Sequence, residues 1–318
     1  MPATFLVVPE WQGSGSSRAM QLIDGADAIA GDLPAAVTRR VSVPLGSGES
    51  LGTGVSRISA LHTVRDAVAQ ALDQLAAAAA IDAVNATADP DPDPDPDPDP
   101  DPASIPRPRA DIVVTIGGDC GVELAPITAA KRTHPKLAVV WLDAHADLLT
   151  PETSDTGAFS GMTLRTLLGE GSELLVAAPG QRLEASHVVL AGVRSFDDAE
   201  EEYIRKHSIT LVDVDALSQS EELERGDALV EAIRATGADS VYLHVDLDVL
   251  DPAEIAGISF PEPFGVTVAA LVENITAVRR AFALVGAGIT QFAPSSPDAA
   301  SDDLSAVLRI ISALTRAL

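Results

Sequence analysis

A short apolar segment that ends in acidic and imidazole side chains constrains the fold of this chain more than any other feature. Leu137–Leu142 is apolar with β-branched residues at its centre, and Pro135 precedes it. Such a run is typical of a strand buried on both faces of a parallel sheet. Similar strand-like runs alternate with alanine-rich helical runs along the chain, and this alternation predicts an α/β fold with a mostly parallel sheet.

Asp143, His145 and Asp147 follow this segment at alternate positions. If the extended conformation continues beyond the strand, a period of two residues places all three side chains on one side. Crowded carboxylates repel one another unless a positive charge lies among them, and a divalent cation bound by oxygen and imidazole nitrogen is the simplest such charge. The alternative is that these residues only cap the next element, because short motifs have many chance matches.

Two further buried strands are predicted to end at the same edge of the sheet. Residues 111–116 lead into G-G-D-C, which ends at Cys120, and residues 240–245 lead into Asp246 and Asp248. Ligands of open parallel sheets bind outside the carboxyl ends of the strands. The charge of four carboxylates matches two divalent cations, and two such cations about 3.5–4 Å apart activate a shared water for attack on a substrate carbon.

Composition narrows the class of protein. The net charge of −26 over 318 residues opposes binding to nucleic acid and anionic membranes. The sequence has no apolar run of about 18 residues and no basic N-terminal region with a cleavage site, so we expect a cytoplasmic protein. Successive Asp-Pro pairs at 89–102 predict a disordered insertion, and we otherwise expect a single domain over 1–318.

The motifs G-G-D, D-A-H-A-D and D-x-D-x-x-D-P, in this order and spacing, resemble those of the arginase/agmatinase/formiminoglutamase (ureohydrolase) family. The resemblance covers nearly the whole chain outside the Asp-Pro tract and indicates a divergent member. It implies a three-layer α/β/α sandwich with an eight-stranded sheet, and a homo-oligomer that is a trimer or a hexamer. It also implies a hydrolase with a small-molecule substrate, which cleaves C–N bonds of guanidino or formimino compounds with two divalent metal ions, most often manganese.

The resemblance also implies a set of metal ligands. Five of the family's six ligands match Asp143, His145, Asp147, Asp246 and Asp248, and Asp147 would also accept a proton from the attacking water. The sixth ligand, normally a histidine, is replaced by Cys120. A thiolate is a softer ligand and favours zinc or iron over manganese, with cobalt and nickel also open. Whether Cys120 is a ligand or a buried apolar filler is left open by the sequence.

Other functional positions depart from the family pattern. Ser160 takes the place of a proton-shuttling histidine, as in formiminoglutamase-type members, and is the second candidate catalytic residue. Leu149 and Thr156 align with the Asn and Ser that hold the substrate carboxylate in arginase-type members. Gln291 replaces a glutamate that pairs with the guanidinium, and a lost charge-assisted hydrogen bond of roughly 1.5–3 kcal/mol predicts poor binding of arginine.

Three functional hypotheses follow. The first is a metal-dependent hydrolase of a linear amidine other than arginine, and the second is a catalytically impaired relative that keeps a structural metal site. The third, a zinc deacetylase with one metal, is disfavoured because both Asp147 and Asp248 are retained. His244 shares a face with Asp246, and we expect a satisfied histidine there that supports the ligands or lies in the core, rather than a seventh ligand.

Overall fold

The computed structural model describes residues 3–87, 112–219 and 226–318. The Asp-Pro insertion at 89–102 lies outside the described residues, and the single-domain organisation stays a prediction. In chain order the elements are β1 (Ala3–Val8), α1 (Gln21–Gly31), β2 (Thr38–Arg40), α2 (Ile58–Thr87), β3 (Ile112–Gly117), α3 (Leu124–Thr133), β4 (Leu137–Leu142), α4 (Thr163–Leu167), β5 (Val188–Ala191), α5 (Asp198–His207), β6 (Thr210–Val212), α6 (Val214–Ser218), α7 (Asp227–Ala235), β7 (Ser240–Asp246), α8 (Val268–Ala281), β8 (Ala283–Thr290) and α9 (Ala300–Thr315).

These strands form one eight-stranded sheet in the order β2-β1-β3-β8-β7-β4-β5-β6. Every neighbouring pair is parallel, which confirms the predicted α/β fold and the number of strands. The central strands β4 and β7 are buried at every residue, and the continuously apolar sequence of β4 is typical of such a position. The carboxyl ends of β3, β8, β7 and β4 therefore lie side by side in the middle of one sheet edge.

Helices cover both faces of the sheet and complete the three layers. Val140 of β4 belongs to the same apolar core as Ile29 of α1 and Leu271 of α8. Val139, its neighbour in the strand, belongs to the opposite core with Ile127 of α3. Adjacent strand residues point to opposite faces, so a continuously apolar strand fills both layers. Within the described ranges, no helix combines the length and apolar character needed to cross a membrane.

Local features set the ends of three strands. β2 is short and follows a 3₁₀ turn at Ala35–Val37. β6 ends at Val212 because the carboxylate of Asp213 accepts a hydrogen bond from the backbone N–H of Ala216 and caps α6. β8 ends before Gln291, whose φ of +65° leaves the extended conformation.

Candidate metal centre and substrate pocket

A cavity of about 270 Å³ opens at the carboxyl edge of the sheet, above the central strands. Every residue that the sequence indicated as a site residue contributes to its lining: Cys120, Asp143, His145, Asp147, Leu149, Thr156, Ser160, Asp246, Asp248 and Gln291. Four different segments of the chain meet here because their strands are neighbours in the sheet. The individual roles of these residues stay predictions.

The turn after β3 fixes the position of the cysteine. A Cβ atom at Gly118 would lie 1.5 Å from the carbonyl oxygen of Glu10, so this close approach requires glycine. The next residue, Asp119, caps the 3₁₀ turn Cys120–Glu123, and its carboxylate also accepts a hydrogen bond from the backbone N–H of Gly13 at 2.9 Å. The first residue of this turn thereby presents its thiol to the cavity.

The segment after β4 reaches the cavity by a different route from the one that the sequence predicted. The extended conformation ends at Leu142, and Asp147 has a left-handed φ of +53°, so the simple period of two is wrong here. Oδ1 of Asp143 accepts a hydrogen bond from the backbone N–H of His145 at 2.6 Å, which turns the chain. Asp143, His145 and Asp147 nevertheless converge on the cavity, through this turn rather than through a continued strand.

The end of β7 is tied to the end of β4 by its carboxylates. Oδ1 of Asp246 accepts a hydrogen bond from the backbone N–H of Asp248 at 2.9 Å. Oδ1 of Asp248 accepts one from the backbone N–H of Ala144 at 3.0 Å. Its Oδ2 lies 3.0 Å from Nδ1 of His145. These contacts hold the donor atoms of the two strands against each other.

Two groups of potential ligand atoms result, and they share Asp143. The first contains Cys120, Asp143, His244 and Asp246, and the second contains Asp143, His145 and Asp248. Within each group, all ligand atoms lie within 4.8 Å of one another. Asp147 is in neither group, but its Oδ2 is buried without a hydrogen-bond partner. Carboxylate oxygens, imidazole nitrogens and one thiol are donors that bind divalent metals, so the residues fit a two-metal site.

Burial of so many acidic groups changes their proton affinities. Burial raises the pKa of Asp147 and of Asp246 well above the usual range. Burial and the charge of Asp143 raise the pKa of Asp248 to about 6. Burial lowers the pKa of His145, but its contacts with Asp143 and Asp248 outweigh this effect and raise it to about 12. The site therefore favours added positive charge, either as protons or as metal cations.

Cys120 makes polar contacts on two sides. Its thiol donates a hydrogen bond to Oδ2 of Asp246 at 3.0 Å, and Nε2 of Gln291 donates one to its Sγ at 3.5 Å. Burial, followed by the charges of Asp147 and Asp246, raises the pKa of the thiol well above its usual value. An adjacent cation would oppose this shift and favour the thiolate. These contacts argue against the reading of Cys120 as an apolar filler, while its role as a ligand stays a prediction.

The long loop after β4 forms one wall of the pocket. The backbone N–H of Leu149 donates to the carbonyl oxygen of Gly161 at 2.9 Å, and that of Ser160 donates to the carbonyl oxygen of Gly13 at 3.0 Å. These bonds fold the loop back over the cavity, and Thr156 lies at the same wall. Leu149 presents an apolar side chain where the resemblance implied an amide.

Sequence reasoning missed the acidic residues after β5. Asp197 and Glu200 both line the cavity, and together they form the capping box of α5. The carboxylate of Glu200 also accepts a hydrogen bond from the backbone N–H of Leu148 at 2.8 Å, which supports the segment after Asp147. Asp197 follows the buried strand β5 in the sequence. Its place in the cavity lining could have been predicted from this position, because ligands bind at the carboxyl ends of parallel strands.

Comparison with known proteins places most of the chain in one family. Residues 58–315 match the family model described as the arginase family. The chain belongs to the arginase family. The match includes β3, β4 and β7, whose ends carry the candidate ligands, and β8, which precedes Gln291. It also includes α2 and α9.

Named members of the arginase family show the extent of the similarity. The arginase of Bacillus caldovelox is 33% identical over 231 residues, which are 71% of this chain and 67% of that protein. The arginase of Staphylococcus aureus (strain MRSA252) is 35% identical over 147 residues, which are 45% of this chain and 48% of that protein. The alignment with the staphylococcal protein therefore spans about half of its length.

The fold of this arginase-family chain also matches solved structures. The arginase of Entamoeba histolytica, crystallised in complex with L-ornithine, superposes with a TM-score of 0.76 and covers 98% of this chain and 97% of that one. The sequence identity in this comparison is 19%, so it supports the fold alone.

Proposed function

We propose that this arginase-family protein is a metal-dependent hydrolase that cleaves a C–N bond of a linear amidine, a guanidino or formimino compound. The observation that carries the proposal is the convergence of four buried carboxylates and His145 on one cavity at the carboxyl edge of the sheet. Bound there, two divalent cations would supply Lewis acidity, which lowers the pKa of water and stabilises developing negative charge.

Residues of the chain would orient the water and move its proton. Oδ2 of Asp147 is buried without a hydrogen-bond partner, so it is available to accept a proton from the attacking water. The buried Ser160 lies in the same cavity and is our candidate for passing a proton towards the departing nitrogen. Glu200 holds the backbone next to Asp147 and thereby keeps that carboxylate in place.

The lining of the pocket favours a substrate other than arginine. Gln291 offers an uncharged amide, so a guanidinium would gain no ion pair from that position. Leu149 is apolar, and among the described residues that line the pocket there is neither Lys nor Arg to bind a substrate carboxylate. We therefore propose weak turnover of arginine and faster turnover of an amidine without a carboxylate at that wall.

The metal and the assembly are further parts of the proposal. Manganese is expected from the family resemblance, whereas the thiol of Cys120 favours zinc, iron, cobalt or nickel. A homo-oligomer, either a trimer or a hexamer, also rests on that resemblance, whereas the cytoplasmic location rests on the sequence pattern.

The second candidate function is a catalytically impaired relative that keeps the metal site for stability. It is favoured by three departures at one cavity, namely Cys120, Ser160 and Gln291, each of which replaces a group that the resemblance associates with catalysis. Under this alternative, the metals would stabilise the fold by binding only the native state.

Activity after metal loading distinguishes the two functions. The protein is loaded separately with Mn²⁺, Co²⁺, Ni²⁺ and Zn²⁺, and release of urea or ammonia is measured from L-arginine, agmatine, other guanidino compounds and N-formimino-L-glutamate. We expect release from at least one compound, loss of it in Asp147→Asn, and no loss in the surface control Asp215→Asn on α6. Two bound metals without release from any compound would support the impaired relative.

A further inference from the structure

His244 lies beneath the candidate metal centre on β7 and is fully buried, at 0% exposure. Its ring stacks on the indole of Trp141, with the centroids 3.6 Å apart and the planes at 21°. Neither ring nitrogen has a close hydrogen-bond partner, although each faces a carboxylate oxygen. The expectation that His244 supports the ligands or lies in the core, rather than binding metal, stays a prediction. Buried polar groups are nearly always hydrogen-bonded, and two ring nitrogens without a close partner therefore require an explanation.

A buried carboxylate lies behind one of these nitrogens. Oε1 of Glu123 is 3.6 Å from Nδ1 of His244, and Oε2 accepts a hydrogen bond from the hydroxyl of Tyr242 at 2.7 Å. Gly288 makes room for this carboxylate, because a Cβ there would lie 1.4 Å from Oε1. The Glu123 side chain, itself at 0% exposure, is thus held in place next to the imidazole.

The other nitrogen faces the ligand atoms. Nε2 of His244 is 3.7 Å from Oδ2 of Asp143, and a ring nitrogen of His244 lies within 4.8 Å of donor atoms of Cys120 and Asp246. Donors that bind one cation at about 2.0–2.3 Å lie up to about 4.6 Å from one another. The four side chains are therefore spaced as the ligands of a single cation would be, with only small adjustments.

We infer that His244 binds metal through Nε2, as a fourth protein ligand beside Cys120, Asp143 and Asp246, and that Glu123 orients its ring through Nδ1–H. A ligand histidine whose second nitrogen donates to a carboxylate is a recurring arrangement in metal sites. This inference rests on the proposed two-metal site and adds a ligand to it.

The charge balance of this group supports the inference. Cys120 as thiolate, Asp143 and Asp246 would place three negative charges around one divalent cation in a buried position. A neutral imidazole adds a donor without adding charge, so it fills the coordination shell without further desolvation of an anion. A set of one sulfur, one nitrogen and two oxygens also favours zinc, cobalt or iron over manganese.

A crystal structure of the full-length, cobalt-loaded protein, with the metals located by anomalous scattering, tests the inference directly. We expect one cobalt at about 2.0–2.3 Å from Nε2 of His244. Two cobalt ions that both lie more than 3 Å from Nε2 would overturn the inference and leave the proposed function standing. A protein without bound metal at the cavity would contradict the proposed function itself.

Metal content in solution gives an independent readout. We expect about two metals per chain in the wild type, close to one in His244→Gln, and about two in the control His62→Gln on α2. Glu123→Gln should keep both metals at saturation but weaken one of them by about 10–100-fold. Two metals of unchanged affinity in His244→Gln would overturn the inference, and if this variant does not fold, the wild-type crystal structure decides alone.

Discussion

The thiol of Cys120 donates a hydrogen bond to Oδ2 of Asp246 across 3.0 Å, and this contact joins the ends of β3 and β7. The same oxygen accepts a hydrogen bond from the hydroxyl of Thr290 at 3.2 Å. The sulfur and the carboxylate are therefore held side by side at the cavity, where a cation could bind both.

Replacement of Cys120 should change metal content and metal preference. We expect Cys120→Ala to bind close to one metal per chain instead of two, because the group of ligand atoms that contains Cys120 and Asp246 loses its sulfur. Cys120→His should keep two metals and bind Mn²⁺ on the order of tenfold more tightly than the wild type, since imidazole is a harder ligand than thiolate. Titration with each metal measures both effects, and an alanine variant with two metals of unchanged affinity would show that the sulfur is not a ligand.

Gln291→Glu should raise activity on cationic substrates. A carboxylate at this position could form a charge-assisted hydrogen bond with a guanidinium, worth about 1.5–3 kcal/mol or roughly 10–100-fold in kcat/KM. Steady-state kinetics on arginine and agmatine measure the gain, and the uncharged variant Gln291→Met serves as the control. An equal change in both variants would contradict an electrostatic role for this position.

Gly118→Ala should destabilise the fold strongly. The added Cβ would lie 1.5 Å from a backbone oxygen, that of Glu10, so the chain must shift at the turn that carries Cys120. We expect the free energy of unfolding to fall by about 3 kcal/mol or more. The matched control is Gly31→Ala at the end of α1, where a Cβ meets nothing within 4 Å, and we expect a change within about 0.5 kcal/mol. Urea unfolding measures both, and equal stability of the two variants would contradict the close approach.

Glu10→Gln should alter the pH dependence of stability. Burial, followed by the charge of Asp119, raises the pKa of Glu10 well above its usual value, so the folded state retains a proton that the unfolded chain releases near pH 4.3 (about the free value). The contribution of this proton to the free energy of unfolding is therefore fully present below about pH 4.3. It is lost as the pH rises towards the pKa of Glu10 in the folded state. Glutamine carries no titrating proton and does not lose this contribution. The free energy of unfolding of the variant, relative to that of the wild type, should therefore increase as the pH rises from about 4 to about 8. Urea unfolding across this range tests the prediction, and parallel profiles would contradict it.

The sequence predicted those features that depend on local pattern. The continuous apolar run gave the bounds of β4 as the structure has them, and the rule for strand ends placed Cys120, Asp143 and Asp246 at one edge. The left-handed conformation of Asp147 was not predictable from a period of two, because it arises where the chain turns after the strand.

Contacts between distant parts of the chain were also beyond the sequence. Glu123 and His244 lie on different elements, and no spacing indicates that their side chains meet under the cavity. The capping box of α5 is by itself a sufficient reason for a glutamate at position 200. Only the fold shows that the same carboxylate also binds the backbone N–H of Leu148. Such contacts depend on how distant segments pack together in the fold, which no local pattern indicates.

The number of metals bound per chain tests the central claim most directly. The full-length protein is purified without oxygen, reconstituted with Mn²⁺, Zn²⁺ or Co²⁺, freed of excess metal and measured by elemental mass spectrometry. A two-metal centre built on the ends of β3, β4 and β7 predicts a value close to two for at least one metal, and a clear loss in Asp248→Asn. A value of one or less for every metal would contradict the two-metal centre.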